Sequence, residues 1–167
     1  ALGKLQQAAE CRRGRTPDPL ELTGSSTEDG PLRAEMERRE DTLGFAGYVL
    51  LKGMLALYAG RPDRGFELWH EFERRVASLN ALYAVTVFWF FYGLAAWQNE
   101  DPAAGRRALR MTRLYGTRVS GAHRMEALAA ERGRHGDTHC RAERLYRRAR
   151  RSAVADGFVS EAALLSE

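Results

Sequence analysis

The sequence contains few cysteines and no disulfide pattern. Its 167 residues include only two cysteines, Cys11 and Cys140, which are far apart and follow no metal-ligand or disulfide spacing. Small secreted domains that depend on disulfides are rich in cysteine, whereas sparse, unpatterned cysteines are typical of reducing compartments. This scarcity argues against a disulfide framework, and we expect the protein to be cytoplasmic.

Long apolar runs are also missing. The longest run, about residues 81–97, is interrupted by Thr86 and Gly93 and is rich in aromatic residues. It is short for a membrane span and more typical of a core helix. No uninterrupted apolar stretch follows the first residue, so we expect neither a secretory signal nor a membrane segment.

Lysine is scarce, and arginine takes its place. Only Lys4 and Lys52 are lysines, so 24 of the 26 basic residues are Arg. Residues 101–151 hold 14 Arg against 5 Asp and Glu, a net charge of +9, which leaves −5 for the remainder of a chain whose total is +4. Selection for phosphate contacts would not exclude Lys, and GC-rich codon usage explains the arginine excess equally well. Nucleic-acid binding by the Arg-rich 106–151 face therefore stays an alternative only.

The chain divides by composition into residues 1–43 and 44–167. Residues 14–31 hold three of the five prolines and a Gly-Ser-Ser-Thr cluster, which predicts a loop with low order around Thr23 to Gly30. The preceding residues are predicted to end a helix that begins upstream, and a short helix is predicted from Pro31 to Asp41. We therefore interpret 1–43 as a helix end and flexible loop, and 44–167 as a helical region of a larger chain.

In the second region, apolar faces at helical spacing alternate with short breaks. Gly60 and Pro62 mark one break, and Asp101 and Pro102 mark another as N-cap and first helical residue. The predicted helices are 44–60, 63–79, 81–99, 102–117, 122–135 and 139–155, with a last one beginning near 159. The only competing strand is residues 83–92, which have β-branched and aromatic content but no alternation. We expect an all-α fold.

Several residues recur with a spacing of 40. The pairs are Gly53 and Gly93, Gly60 and Glu100, Pro62 and Pro102, Gly65 and Gly105, and Trp69 and Leu109. Such a period predicts stacked helix hairpins, in which small residues let two helices approach closely. A third unit with a shorter period has Ala130 and Ala142 as its small residues, followed by Tyr146 and Ala149. We therefore predict a solenoid in which helix 44–60 pairs with 63–79, 81–99 with 102–117, and 122–135 with 139–155.

The third unit resembles the tetratricopeptide repeat (TPR). The stretch AERLYRRAR, with Ala142, Tyr146 and Ala149, is similar to the second helix of that repeat. The period of 40 is longer than the usual 34, so the resemblance implies a TPR-like solenoid of antiparallel helix hairpins that serves protein–protein interaction.

A longer stretch, from about Thr42 onward, resembles the helical region of large bacterial signalling proteins. The most specific segment is the ending, which contains His123, Ala130–Glu131, the pattern A..LY..A from Ala142 to Ala149, Gly157–Phe158 and Glu161–Ala162. In that family a protein-kinase-like domain and a STAND ATPase precede the solenoid, and a GAF domain and often a sensor histidine kinase follow it. The resemblance implies a segment for signal transduction without catalytic residues, because the chain contains no phosphate loop, kinase catalytic loop or phospho-acceptor histidine box.

A cluster of potential metal ligands lies near the break between the last two predicted helices of that solenoid. His135, His139 and Cys140 are close in sequence. Gly136 and Asp137 break the helix that would align them, and no second ligand cluster exists. We interpret this stretch as a solvated loop and expect no metal site.

Acid–base and nucleophilic chemistry have little support. His70 and Glu73 share a helical face, yet neither a nucleophile nor a second partner accompanies them. The serines of residues 24–26 lack the Gly-x-Ser-x-Gly context of a hydrolase. We therefore expect no catalytic site, no cofactor and no small-molecule ligand.

Aromatic residues are concentrated between residues 83 and 97. They are Tyr83, Phe88, Trp89, Phe90, Phe91, Tyr92 and Trp97. Trp89, Phe90 and Trp97 lie partly off the predicted inward stripe. Core packing is the leading interpretation, and the alternative is that these three anchor a partner in an exposed groove.

The arginines near the end of the chain fit an amphipathic helix. At about 100° per residue, one side carries an apolar stripe, formed by Ala142, Leu145, Tyr146, Ala149 and Ala153. The opposite side carries Arg144, Arg147, Arg148 and Arg151, which we expect to face water. Together these patterns favour a non-catalytic interaction segment whose partner is another protein or a neighbouring domain of the same polypeptide.

Overall fold

The computed structural model describes residues 18, 20, 28–74, 76, 83–116, 121–136 and 139–166. Eight α-helices lie in these ranges, and no strand occurs among the residues described, so the all-α prediction is confirmed. The helices are α1 (Asp29–Arg38), α2 (Thr42–Tyr58), α3 (Pro62–Phe72), α4 (Tyr83–Gln98), α5 (Pro102–Gly116), α6 (Ala122–Arg134), α7 (His139–Ala155) and α8 (Val159–Leu164). Within the described ranges, no helix is long and apolar enough to cross a membrane.

Several helix boundaries differ from the prediction, most of all the end of α3. Helix α1 begins at Asp29, so residues 29–30 are helical and do not belong to a loop. Helix α3 ends at Phe72, whereas the apolar pattern predicted a helix to residue 79. Phe72 and Val76 are both buried and four residues apart, which is the spacing of a continued helix, but the chain turns between them. The predictions for residues 1–13 and for most of the 14–31 loop lie outside the described residues.

The chain forms two compact units, residues 1–80 and 81–167. In the first unit α1 packs on α2 and α2 packs on α3. Two ion pairs attach α1 to its neighbours: Asp29 with Lys52 on α2, and Arg33 with Glu71 on α3 at 2.9 Å. The second pair is exposed and therefore contributes little to stability.

Helix α6 is central to the second unit. It packs against α4, α5 and α7, while α5 also packs on α4 and α8 packs on α7. Every residue of α4 from Val85 to Trp97 is buried. A helix that is apolar on all sides is buried on all sides, which explains why this segment shows no amphipathic stripe.

Glycines allow close approach of paired helices in both units. A side chain at Gly53 on α2 would overlap the indole ring of Trp69 on α3. In the second unit, a Cβ at Gly105 on α5 would overlap the indole of Trp97, and one at Gly93 would lie 2.7 Å from Leu128. The large ring comes from the second helix of one pair and from the first helix of the other.

Four helices end with a residue in the left-handed conformation. These residues are Glu40, Gly60, Glu100 and Gly157, with φ between 51° and 80°. After each one, the next amide closes the helix on a carbonyl five residues back, as Asp101 N does to Ala96 O at 2.9 Å. This closure is a Schellman-type helix end, which favours glycine because a Cβ strains the left-handed conformation. Asp101 then caps α5 by accepting hydrogen bonds from Ala103 N and Ala104 N, as predicted.

Candidate functional site

The three aromatic residues considered as partner anchors lie in the core. Trp89, Phe90 and Trp97 are 1%, 0% and 2% exposed. The guanidinium of Arg107 lies 6.0 Å from the centre of the Trp89 ring, and His135 stacks on Trp97 at 5.3 Å. The structure supports the core-packing interpretation, because these three side chains are buried and do not line an exposed groove.

The arginine face of α7 has the orientation predicted from its sequence. Arg144, Arg147, Arg148 and Arg151 are exposed, and the opposite stripe contains the buried Ala142, Ala149 and Ala153. Arg147 pairs with Glu143 of the same helix at 2.8 Å. Arg148 pairs with Glu126 of α6 at 2.6 Å. Two of the four charges are therefore already engaged by carboxylates.

The remaining predicted repeat residues lie on facing helices. Ala130 of α6 is fully buried, and Gly65 of α3 lies so close to α2 that an added Cβ would be 3.2 Å from Gly53 O. Tyr146 of α7 is half-buried, and its hydroxyl donates a hydrogen bond to Glu131 of α6. Burial, followed by the negative charge of Glu131, raises the pKa of Tyr146, so the phenol stays protonated.

Of the three residues considered as metal ligands, the structure describes the side chains of His135 and Cys140. Among the described residues, no three His, Cys, Asp or Glu side chains are placed to hold a metal. His135 lies 3.8 Å from Glu131 and is occupied by its stacking on Trp97, while Cys140 is exposed. The side chain of His139 lies outside the described part of the chain. His70 is exposed beside Glu73 at 3.8 Å.

A buried charge cluster joins α8 to α6. Glu161 of α8 accepts hydrogen bonds from Arg124 Nε at 2.8 Å and Arg124 Nη2 at 2.6 Å, and its Oε2 lies 2.6 Å from Nε2 of His123. His123 and Arg124 have no exposed surface, and Glu161 is 7% exposed. The Phe158 ring covers both of these side chains. Its centre lies 4.7 Å from the centre of the His123 ring and 5.0 Å from the guanidinium carbon of Arg124.

The electrostatics of the buried charge cluster favour an ionised Glu161. Burial by itself raises the pKa of this carboxyl, but the hydrogen bonds from His123 and Arg124 outweigh burial, and the pKa is lowered overall. A bidentate guanidinium–carboxylate pair is among the stronger polar interactions in proteins. Because the groups are sealed from solvent and engaged with one another, the cluster is suited to holding α8 in place.

Sequence reasoning did not find the buried charge cluster. His123 and Glu161 entered only as positions of a family resemblance, and Arg124 was not singled out. A signal was present, because His123, Arg124 and Glu131 occupy the same face of α6 as the buried Ala127 and Leu128. Charged residues at core positions of a helix must be paired, so this face predicts a partner elsewhere in the chain.

A second group of charges opens to solvent between α5, α6 and α7. Arg113, Arg132 and Arg141, one from each helix, line a cleft of about 310 Å³ together with Leu109, Ala129, Gly133 and Leu145. All three arginines are exposed, while Leu109 is buried beneath them. We call this feature the three-arginine cleft. Its arginines belong to the basic 106–151 stretch, but only the packing of three helices brings them together.

The geometry thus provides a helical framework, the buried charge cluster and the three-arginine cleft. Comparison with known proteins adds no relative from which a site could be transferred. No protein family, no curated protein and no solved structure matches this chain.

Proposed function

We propose that this chain is a non-catalytic protein-interaction segment, built as a TPR-like solenoid and belonging to a bacterial signal-transduction ATPase or kinase. The observation that carries the proposal is the pairing of consecutive helices, α2 with α3, α4 with α5, and α6 with α7. These are the three pairs that the spacing of small residues predicts. In a TPR-like solenoid, helix pairs of this kind stack and present extended surfaces to partners.

The similarity between the first two helix pairs supports this reading. In each pair a glycine of the first helix and a glycine of the second lie against an indole ring or against the facing helix. Gly60 and Glu100, 40 residues apart, both adopt the left-handed conformation, and a proline begins the next helix two residues after each. The same local geometry at the same spacing is what a repeat produces.

The polar clusters support a binding role over a catalytic one. In the buried charge cluster, the carboxylate of Glu161 is hydrogen-bonded to Arg124 and His123. The side chains of Arg124 and His123 have no exposed surface. A general acid or base must reach a substrate proton, which a sealed group does not do. The titratable groups described in the three-arginine cleft are guanidinium groups, which bind anions and do not exchange protons near neutral pH.

Binding to neighbouring domains tests the proposal. The gene is expected to encode a phosphate-loop ATPase before this segment and GAF or kinase domains after it. Isothermal titration of the purified chain with each of those domains should show binding to at least one. A variant with Gly105→Leu, which forces the Trp97 ring out of its place between α4 and α5, should bind more weakly.

Two results would contradict the interaction role. One is ATP hydrolysis by the purified chain that a single substitution abolishes. The other is the lack of any heat of binding with all neighbouring domains, measured with chain whose helical circular dichroism is intact.

Nucleic-acid binding is a second candidate, favoured by the exposed arginines of α7. If Arg144 and Arg151 bind phosphates, affinity for duplex DNA should fall steeply with salt concentration, in proportion to the phosphates neutralised. Arginine itself can read guanine, whereas adenine is normally read by amide side chains and unpaired bases stack on aromatic rings. The described part of this face offers neither an amide nor an aromatic side chain, because Tyr146 is turned toward Glu131. Salt-insensitive or absent DNA binding would exclude this candidate.

A further inference from the structure

We infer that the three-arginine cleft binds an acidic peptide segment of a partner protein. This inference rests on the proposed interaction function and specifies the surface and the ligand chemistry. The cleft is formed where α5, α6 and α7 meet, and each helix contributes one guanidinium group, from Arg113, Arg132 and Arg141. Its ligand would place carboxylates against these groups.

The charges of the cleft have no carboxylate partner in the part of the chain that the structure describes. Among the residues that the structure describes, no ion pair involves Arg113, Arg132 or Arg141. The described lining of the cleft contains no Asp or Glu. Other arginines of the same helices do have carboxylate partners. These are Arg134 with Glu131, Arg147 with Glu143 and Arg148 with Glu126.

The arrangement of like charges points to an external anion. Three guanidinium groups around one cleft repel one another, and a bound carboxylate relieves that repulsion. Guanidinium groups present a planar fork that matches a carboxylate in two parallel hydrogen bonds. Basic and acidic surfaces that face each other also increase the rate of association.

The floor of the cleft distinguishes a peptide from other anions. Leu109, Ala129 and Leu145 supply apolar surface between the arginines, and an apolar side chain of a peptide would cover it. At about 310 Å³ the cleft lies at the lower limit of pockets that enclose small molecules, so it accommodates a few side chains. The lining described contains no aromatic ring on which a base could stack, which disfavours single-stranded nucleic acid.

A peptide array tests the inference without knowledge of the partner. The probes carry pairs of Glu residues at every spacing within a background of Leu, Ala and Ser, and a matched array replaces each Glu by Gln. The full chain should bind a subset of the Glu peptides and none of their Gln counterparts. The best peptide is then measured in solution by fluorescence anisotropy.

Matched charge variants separate this cleft from general attraction. Replacing Arg113, Arg132 and Arg141 together by Gln should weaken the best peptide by about tenfold or more, which corresponds to ~1.4 kcal/mol or more. The control replaces three exposed arginines that do not line the cleft, Arg106, Arg110 and Arg150, and lowers the net charge equally. This control should change the affinity by less than about threefold, equivalent to ~0.65 kcal/mol.

Three outcomes of the binding measurements with peptides and oligonucleotide would overturn the inference. They are equal losses in both triple variants, no Glu-dependent binding at any spacing, and tighter binding of labelled oligothymidylate than of any peptide. Titration of the cleft variant with the neighbouring domains distinguishes the two proposals. If these domains bind the wild type and the cleft variant equally, the cleft assignment fails while the interaction role stands.

Discussion

Replacement of Glu161 by Ala is expected to destabilise the attachment of α8 strongly. The change removes the carboxylate that receives two hydrogen bonds from Arg124, whose side chain has no exposed surface. An uncompensated buried charge costs about 3–5 kcal/mol when one partner of a buried pair is removed. We expect a loss in that range, because the Phe158 ring keeps the guanidinium from reaching water without local unfolding.

The double replacement Arg124→Met with Glu161→Leu is the informative comparison. It removes both charges and fills the space between Phe90 and Phe158 with apolar atoms. Because the desolvation penalty of both ions disappears, the double variant should be more stable than Glu161→Ala. The buried His123 loses its carboxylate partner, which costs about 1–3 kcal/mol and limits the gain. Together with the single variants Arg124→Met and Glu161→Leu, the double variant forms a double-mutant cycle that gives the interaction energy of the pair.

Hydrogen exchange is the appropriate assay, because the chain forms two compact units and a global melt mixes their unfolding. Exchange of amides in α6 (Ala122–Arg134) and α8 (Val159–Leu164) reports the local free energy of opening. If Glu161→Ala changes that free energy by less than about 1 kcal/mol, or if the double variant is as unstable as Glu161→Ala, the pairing of Arg124 with Glu161 does not hold α8 in place.

The pH dependence of the same pair has a definite sign. Glu161 has a lowered pKa in the folded chain, and an unfolded Glu titrates near about 4.3. Its contribution is therefore fully present above about pH 4.3 and is lost as the pH falls through the lower folded value. The stability difference between wild type and Glu161→Gln should shrink only in that acidic range. A difference that disappears between about pH 5 and pH 7 would show that another group controls the cluster.

Five further substitutions test the local geometry, each by thermal or urea denaturation followed by circular dichroism. Glu100→Gly should stabilise the chain by about 1 kcal/mol, because glycine removes the strain of a left-handed residue; a loss of stability would contradict the observed helix end. Gly53→Ala should cost about 1–3 kcal/mol because its Cβ overlaps the Trp69 ring. The matched change Gly47→Ala in the same helix adds a Cβ that meets no atom within 4 Å, so it should stabilise the chain by about 0.5–1 kcal/mol. Equal effects at the two glycines would argue against the close packing of α2 on α3. Arg144→Ser should leave the stability within about 0.5 kcal/mol of wild type. Tyr146→Ala should cost several times more, because it removes a partner of the buried Glu131. A larger loss for Arg144→Ser than for Tyr146→Ala would mean that the arginine face of α7, and not the Tyr146 face, is buried.

The sequence by itself determined the features that depend on neighbours within one helical turn. The all-α class, the break at Asp101 and Pro102 and the two faces of α7 were predicted and are observed. Capping, the preference of proline for the first turn and the 3.6-residue period act locally, so single residues report them reliably. The partnership of helices also followed from the sequence, because small residues recur where helices approach.

The tertiary structure decided which charges and rings are buried and with what. Trp89, Phe90 and Trp97 became core residues because α4 packs on both α5 and α6, and a helix pattern alone does not say how many faces its neighbours cover. Arg124 and Glu161 are 37 residues apart in sequence, and a pair so distant leaves no local signature. The three-arginine cleft likewise exists only where three helices meet. Burial and ion pairing depend on what lies across an interface, and the free energy of a charge changes by several kcal/mol with that partner.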